Sequence, residues 1–180
     1  MSQEKLADLI DLLDSSVKLE GERVSILDEK KLQQKIELLV KKAVLDDEEG
    51  NRMLSRYLVR LIAAAAGVYP NSIHDLYLAR GRGDVPNTFT VPAINLRSLT
   101  FYAAKIIFTI AQKMNAGAFI FELARSETGY TDQRPSEYAA NILGAAVAAG
   151  YKGPVFIQGD HYQISASRYK EDPETEVQTV

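Results

Sequence analysis

Three short stretches bring together side chains able to hold a metal ion and move a proton. "GPVFIQGDHYQ" places Gln158, Asp160 and His161, one of two histidines in the chain, after an apolar run. "GAFIFELARSE" places Glu122, Arg125, Ser126 and Glu127 after a second, and "VPAINLRSLT" places Asn95 and Arg97 after a third. Carboxylate, imidazole and carboxamide groups converging on one rim form a site that can coordinate a cation and exchange protons with a substrate. Imidazole is a good ligand for zinc, and a neighbouring carboxylate lies close enough to a metal-bound substrate to act as acid or base. Adjacent residues of a strand point to opposite faces, so Asp160 and His161 reach one pocket only if the strand bends. Gly159 is expected to permit that bend.

Those side chains need elements to position them. "TFTVPAIN" reads as a strand and "SLTFYAAKIIFTIAQKMN" as a helix, with Ser98 as a cap and an apolar stripe through Leu99, Ala103, Ile106, Ile107 and Ile110. "GAFIFELA" is a strand, "RPSEYAANILGAAVAAGY" a helix with Pro135 in its first turn, and "GPVFIQG" a strand. Apolar runs alternating with helices predict α/β architecture, a parallel sheet covered by helices. Chemistry in such sheets collects at the C-terminal ends of the strands, where all three polar clusters fall.

Upstream, helical spacing predicts three helices, with apolar faces Leu6–Leu9–Ile10–Leu13, Leu32–Ile36–Leu39–Val40–Ala43 and Met53–Leu54–Tyr57–Leu58–Leu61–Ile62. Gly67 and Pro70 stop the third, and Asn71 or Ser72 caps a short fourth holding Ile73, Leu76 and Tyr77. "ARGRGDVPN" is loop chemistry. Residues 1–87 are therefore expected to form a helical N-terminal extension, and residues 88–180 about three parallel strands in βα units. "DPETEVQTV" reads as a helix just begun, so the chain is expected to be a fragment with a strand edge left uncovered.

Composition narrows the classes. The 180 residues carry a net charge of -3 with both signs interspersed, which gives no reason to expect a nucleic-acid partner. There is no cysteine, hence no disulfide framework, thiolate metal site or cysteine nucleophile. "MSQEKLADLI" lacks the basic start and apolar core of a signal peptide, and "LIAAAAGVY" is too short to span a bilayer, so no membrane is expected and the default compartment is cytoplasmic.

The three strand-end motifs together resemble the class II, metal-dependent fructose-bisphosphate/tagatose-bisphosphate aldolase family, over roughly Ser72 to Val180. Pro92, Ala93 and Asn95 match a Pro-Ala-x-Asn motif, and Gln158-Gly159-Asp160-His161 matches most of a His-x-Asp-His motif. The phrase "YTDQRPSEYAA" strengthens the likeness. The resemblance implies the N-terminal part of a TIM (β/α)8 barrel and reversible aldol cleavage of a ketose bisphosphate such as fructose 1,6-bisphosphate. It implies a divalent metal, zinc above others, on His161, with Asp160 as the catalytic acid/base. Asn95, Gln158, Glu122 and Ser126 would bind the phosphorylated sugar substrate, and the full-length protein would be a homo-oligomer. Gln158 stands where the motif has a histidine, which also suits a sugar-acid epimerase or isomerase of the same superfamily. A non-catalytic aldolase subunit or interaction module is the third alternative.

Other residues have plainer readings. His74, beside Asp75 in a short helix, suits packing or capping, and Arg80 and Arg82 suit an exposed loop. Glu122 either enters the pocket or pairs with Arg125. Schiff-base chemistry is not expected, because no strand ends in a lysine.

Overall fold

The helical spacing of the first residues gives α1 (Gln3–Asp11) in a computed structural model that describes residues 3–180. An antiparallel hairpin follows, β1 (Val17–Glu20) and β2 (Arg23–Ile26), turning at Gly21 with φ +62. This hairpin corrects the all-helical reading of residues 1–87. Val17 and Leu19, then Val24 and Ile26, alternate with polar residues and pack against the core.

Asp28 caps α2 (Glu29–Leu45) by accepting a hydrogen bond from Lys31 N at 3.0 Å. The buried face of α2 is the expected one, Leu32, Ile36, Leu39, Val40 and Ala43. In α3 (Glu49–Ala65) the buried face is rotated toward Leu54, Leu58, Val59, Ile62 and Ala63, leaving Met53 and Tyr57 exposed.

Four strands form the main sheet: β3 (Val68–Asn71), β4 (Ala93–Asn95), β5 (Ile120–Ala124) and β6 (Gly153–Asp160). All are parallel, in the order β3-β6-β5-β4. The three expected strands are neighbours in sequence order. The fourth, β3, corrects the count of three and covers one edge of the expected three-stranded piece, that of β6. Its pairing runs Val68↔Gly153 to Asn71↔Phe156.

β4 connects to β5 through α5 (Thr100–Lys113), and β5 to β6 through α6 (Arg125–Tyr130) and α7 (Pro135–Ala148). Both steps move across the sheet in one direction, so crossovers of one hand place α5 and α7 on the same face. There Phe121, Leu123 and Val155 share one core with α2, α3, α5 and α7. The Phe108 and Phe121 rings stand 5.2 Å apart between centroids. α2 and α7 approach so closely that a Cβ on Gly144 would lie 2.4 Å from Val40 Cγ2.

Two details of α5 differ from the sequence reading. Its cap position is Leu99, in the left-handed region at φ 50, not Ser98, and no side chain caps it among the described residues. Its buried face is Thr100, Phe101, Ala104 and Phe108, while Leu99, Ile106 and Ile110 are exposed. The helix is apolar nearly all round, so periodicity alone could not choose the face.

α4 (His74–Arg82) buries no side chain. α8 (Ala166–Glu171) and α9 (Pro173–Gln178) follow β6, and Asp172 caps α9 by accepting from Thr175 N at 3.1 Å. Among the described residues, no helix is long and apolar enough to cross a membrane.

Candidate functional site at the strand ends

The face of the sheet opposite Phe121 and Leu123 carries the polar residues. Register aligns Asn95 with Glu122 and Glu122 with Gln158, and Asp160 lies two residues further along β6, on the same side. Thus Asn95, Glu122, Gln158 and Asp160 share one face at the C-terminal end of the sheet.

Two hydrogen-bonded groups form there. In the first, Asn95 Nδ2 lies 3.2 Å from both Asp160 Oδ2 and Glu127 Oε2. Glu127 is the hub: its Oε1 accepts from Arg97 Nε at 2.6 Å, and its Oε2 accepts from Ala124 N at 2.9 Å. It sits at the third position of α6 and reaches back to the residue before the helix, as an acidic residue there often does. Burial pushes the Glu127 carboxyl up. The Ala124 N–H, Asn95 and Arg97 together outweigh burial and hold it below the usual carboxylate range. In the second group, Gln158 Nε2 donates to Glu122 Oε1. Glu122 therefore pairs with Gln158, not with Arg125.

His161 Nε2 is 3.3 Å from Asp160 Oδ1, and the imidazole is exposed. The bend that brings the two together is at His161, with φ 49. Gly159 does not make it: Gly159 stays in β6, paired with Leu123. What Gly159 supplies is room, since a Cβ there would lie 2.7 Å from Tyr162 Cδ2.

Ser126 stands apart from these hydrogen bonds, in a wide cleft of about 1060 Å³ that it lines with His161, Arg125, Arg134 and Arg168. Arg125 anchors one wall. Its Nη1 donates to Gln163 O at 2.8 Å and to Glu176 Oε1 at 2.9 Å, and its Nη2 donates to Thr179 Oγ1 at 2.8 Å. Glu176 is buried, and Arg125 first, with the Ser165 N–H second, holds its carboxyl below the usual range.

Of the expected residues, Asn95, Asp160 and His161 are brought together, Glu122 and Gln158 form an adjacent pair, and Ser126 faces the neighbouring cleft. The sequence reading noted Glu127 and Arg97 at strand ends without choosing them for the site. The spacing from Ala124 to Glu127 at a strand-to-helix junction signals only the bond to the Ala124 N–H; the bonds to Asn95 and Arg97 come from a distant segment. Among the described residues, no three His, Asp or Glu side chains gather closely enough to hold a metal ion. Of the expected residues, the donor suited to a divalent ion is the exposed His161 imidazole, which by itself falls short of the three protein ligands a catalytic zinc takes.

No protein-family model matches the chain, no curated protein matches it, and no solved structure matches it.

Proposed function

We propose that the chain carries part of a class II aldolase-type lyase site on the first strands of a TIM barrel. The observation that carries this reading is Asp160: its Oδ2 is held by Asn95 while its Oδ1 faces His161, at the C-terminal rim of a parallel sheet. The placement of α5 and α7 on one face of that sheet is the barrel-like feature; the order β3-β6-β5-β4 departs from a barrel, because β3 occupies the edge of β6 that the next barrel strand would take.

In this reading the substrate is a ketose bisphosphate. Asp160 takes the proton from the hydroxyl on the carbon–carbon bond being cleaved; the bond breaks to leave an aldehyde and the enediolate of a ketone phosphate. Asn95 fixes Asp160 and is itself fixed by Glu127, so the carboxylate meets the substrate in one orientation. Arg134 and Arg168, in the cleft beside His161, offer guanidinium groups to a phosphate. A divalent metal held through His161, zinc above others, would supply Lewis-acid polarisation of the ketone.

Two substitutions test the assignment in the assembled enzyme. His161→Ala should lose metal and aldol cleavage together. Asp160→Asn should retain metal and lose on the order of a hundredfold or more in rate. Release of metal by Asp160→Asn would make Asp160 a ligand and remove it as the acid/base. A second reading, a sugar-acid epimerase, is favoured by Gln158, which is committed to Glu122. Recovery of an epimer with no triose product from a sugar acid would select it.

A further inference from the structure

The outer face of α5 is apolar. From the N-cap to the C-cap of the helix, Leu99, Tyr102, Ile106, Ile110 and Met114 recur every three or four residues. They fall along one side, opposite the buried Phe101, Ala104 and Phe108. Each is between 42% and 74% exposed. A surface helix normally turns charged and polar residues outward, and one that is apolar all round is normally covered all round. Among the described residues no element covers this side.

The patch is large enough to matter. Leu45, at the end of α2 and 73% exposed, lines one cavity with Leu99 and Tyr102 and so extends it beyond the helix. From their exposures, the six residues present on the order of 700 Å². A stable specific interface takes about 800 Å² from each partner. Apolar patches of this size on a soluble protein mark interaction surfaces.

Charge and symmetry say what covers it. The stripe holds no carboxylate, and its one charged member is Lys113 at the C-terminal end, since Lys105 projects from the flank. Tyr102 Oη donates to Glu37 at 2.8 Å, so the ring can be buried without orphaning its hydroxyl. A charge-poor interface core needs a charge-poor partner, and the chain carries a face of matching length in its own α5. The stripe is also close to symmetric about Ile106. A two-fold axis there, with the helices antiparallel, sets Tyr102 of each copy against Ile110 of the other. Leu99 then meets the turn of Lys113 and Met114, and the two Lys113 side chains lie at opposite ends, so like charges do not meet.

We propose that the outer face of α5 is a homodimer interface, in which two copies of this chain pack antiparallel about Ile106. Asp160 and His161 take no part in it, and it does not rest on the lyase reading.

Sedimentation equilibrium of the full chain tests this. A monomer–dimer equilibrium is expected, with a dissociation constant on the order of a micromolar or tighter. Ile106→Glu sets two carboxylates at the axis and should weaken the dimer on the order of a hundredfold or more. Circular dichroism melts establish that the variant is folded. The chain has no cysteine, so single-cysteine variants map the contact without disturbing the charge. Ile106→Cys should cross-link to its counterpart through a short bis-maleimide, and Lys18→Cys, on the exposed hairpin, should not. A chain still monomeric at concentrations about a hundredfold above a micromolar would overturn the proposal. So would a folded Ile106→Glu that dimerises as tightly as the native chain, or equal cross-linking from positions 18 and 106. A monomer that sediments with phosphatidylglycerol vesicles, and loses them in Ile106→Glu, would give the stripe to a membrane surface and overturn the dimer.

Discussion

Asn95 Nδ2 lies 3.2 Å from Asp160 Oδ2, which joins the end of β4 to the end of β6 across the strand between them. The residue passed over is Ala124, the register partner of Asp160 on β5. Its methyl group is small enough to leave the path open. Ala124→Leu should push Asn95 and Asp160 apart and, as an overpacked buried position, cost about 1–3 kcal/mol. Urea denaturation measures the cost. In the proposed lyase, turnover should fall at least as far in Ala124→Leu as in Asn95→Ala.

The contact between α2 and α7 makes a second prediction. A methyl on Gly144 meets Val40 Cγ2, a side chain that is itself fully enclosed. Gly144→Ala should therefore destabilise by about 1–3 kcal/mol although alanine is the better helix former. Val40→Ala added to Gly144→Ala should return part of the loss. A double-mutant cycle with no coupling between the two positions would contradict the contact.

Glu127 predicts a pH dependence. Its folded carboxyl titrates below the ordinary value of 4.5, so the stability it contributes is fully present above that value. The contribution is lost as pH falls through the depressed folded value. Glu127→Gln should be less stable than the native chain at pH 7 by about 1.5–3 kcal/mol, the range for a hydrogen bond to a charged group. The gap should close on acidification below the carboxylate range. A gap that widens with acid would reverse the assigned direction.

Arg125 ties α6 to α9 through Glu176 and Thr179, and Glu176 in turn accepts from Ser165 N at the start of α8. Arg125→Met should leave Glu176 without its cation, and backbone amides of α8 and α9 should exchange hydrogen faster while those of α7 keep their protection. Faster exchange throughout the chain would mean that Arg125 supports the whole fold and not this segment.

Much of the fold follows from local patterns. Leu32, Ile36, Leu39, Val40 and Ala43 fall on one helical face, and that face is the buried one. The three apolar runs ending at Asn95, Ala124 and Asp160 are parallel neighbours as their alternation with helices implies. Patterns failed where more than one solution was open. "VYPN" is too short, and holds a proline, to announce a strand; Pro70 is tolerated because β3 lies at the edge of the sheet. The buried face of α5 is selected by Phe121 and Tyr151, which pack on Phe108, and no spacing within the helix encodes that choice. In the candidate site, residue types at the strand ends pointed to Asn95, Asp160 and His161. The role of Glu127 depends on three elements meeting, which a linear motif does not reveal.

The place of β3 also bears on synthesis. Val68 leaves the ribosome long before Gly153, the residue it pairs with. At roughly 5–20 residues per second, β3 waits on the order of ten seconds for β6, its strand partner among the described residues. During that time β4 and β5 can join each other but not β3, so the nascent sheet grows from the opposite edge. Of the four strands, β3 is thus made before the others yet cannot be stitched into the sheet until β6 emerges, and a chaperone acting on this chain would find "VYPN" unpaired throughout that interval.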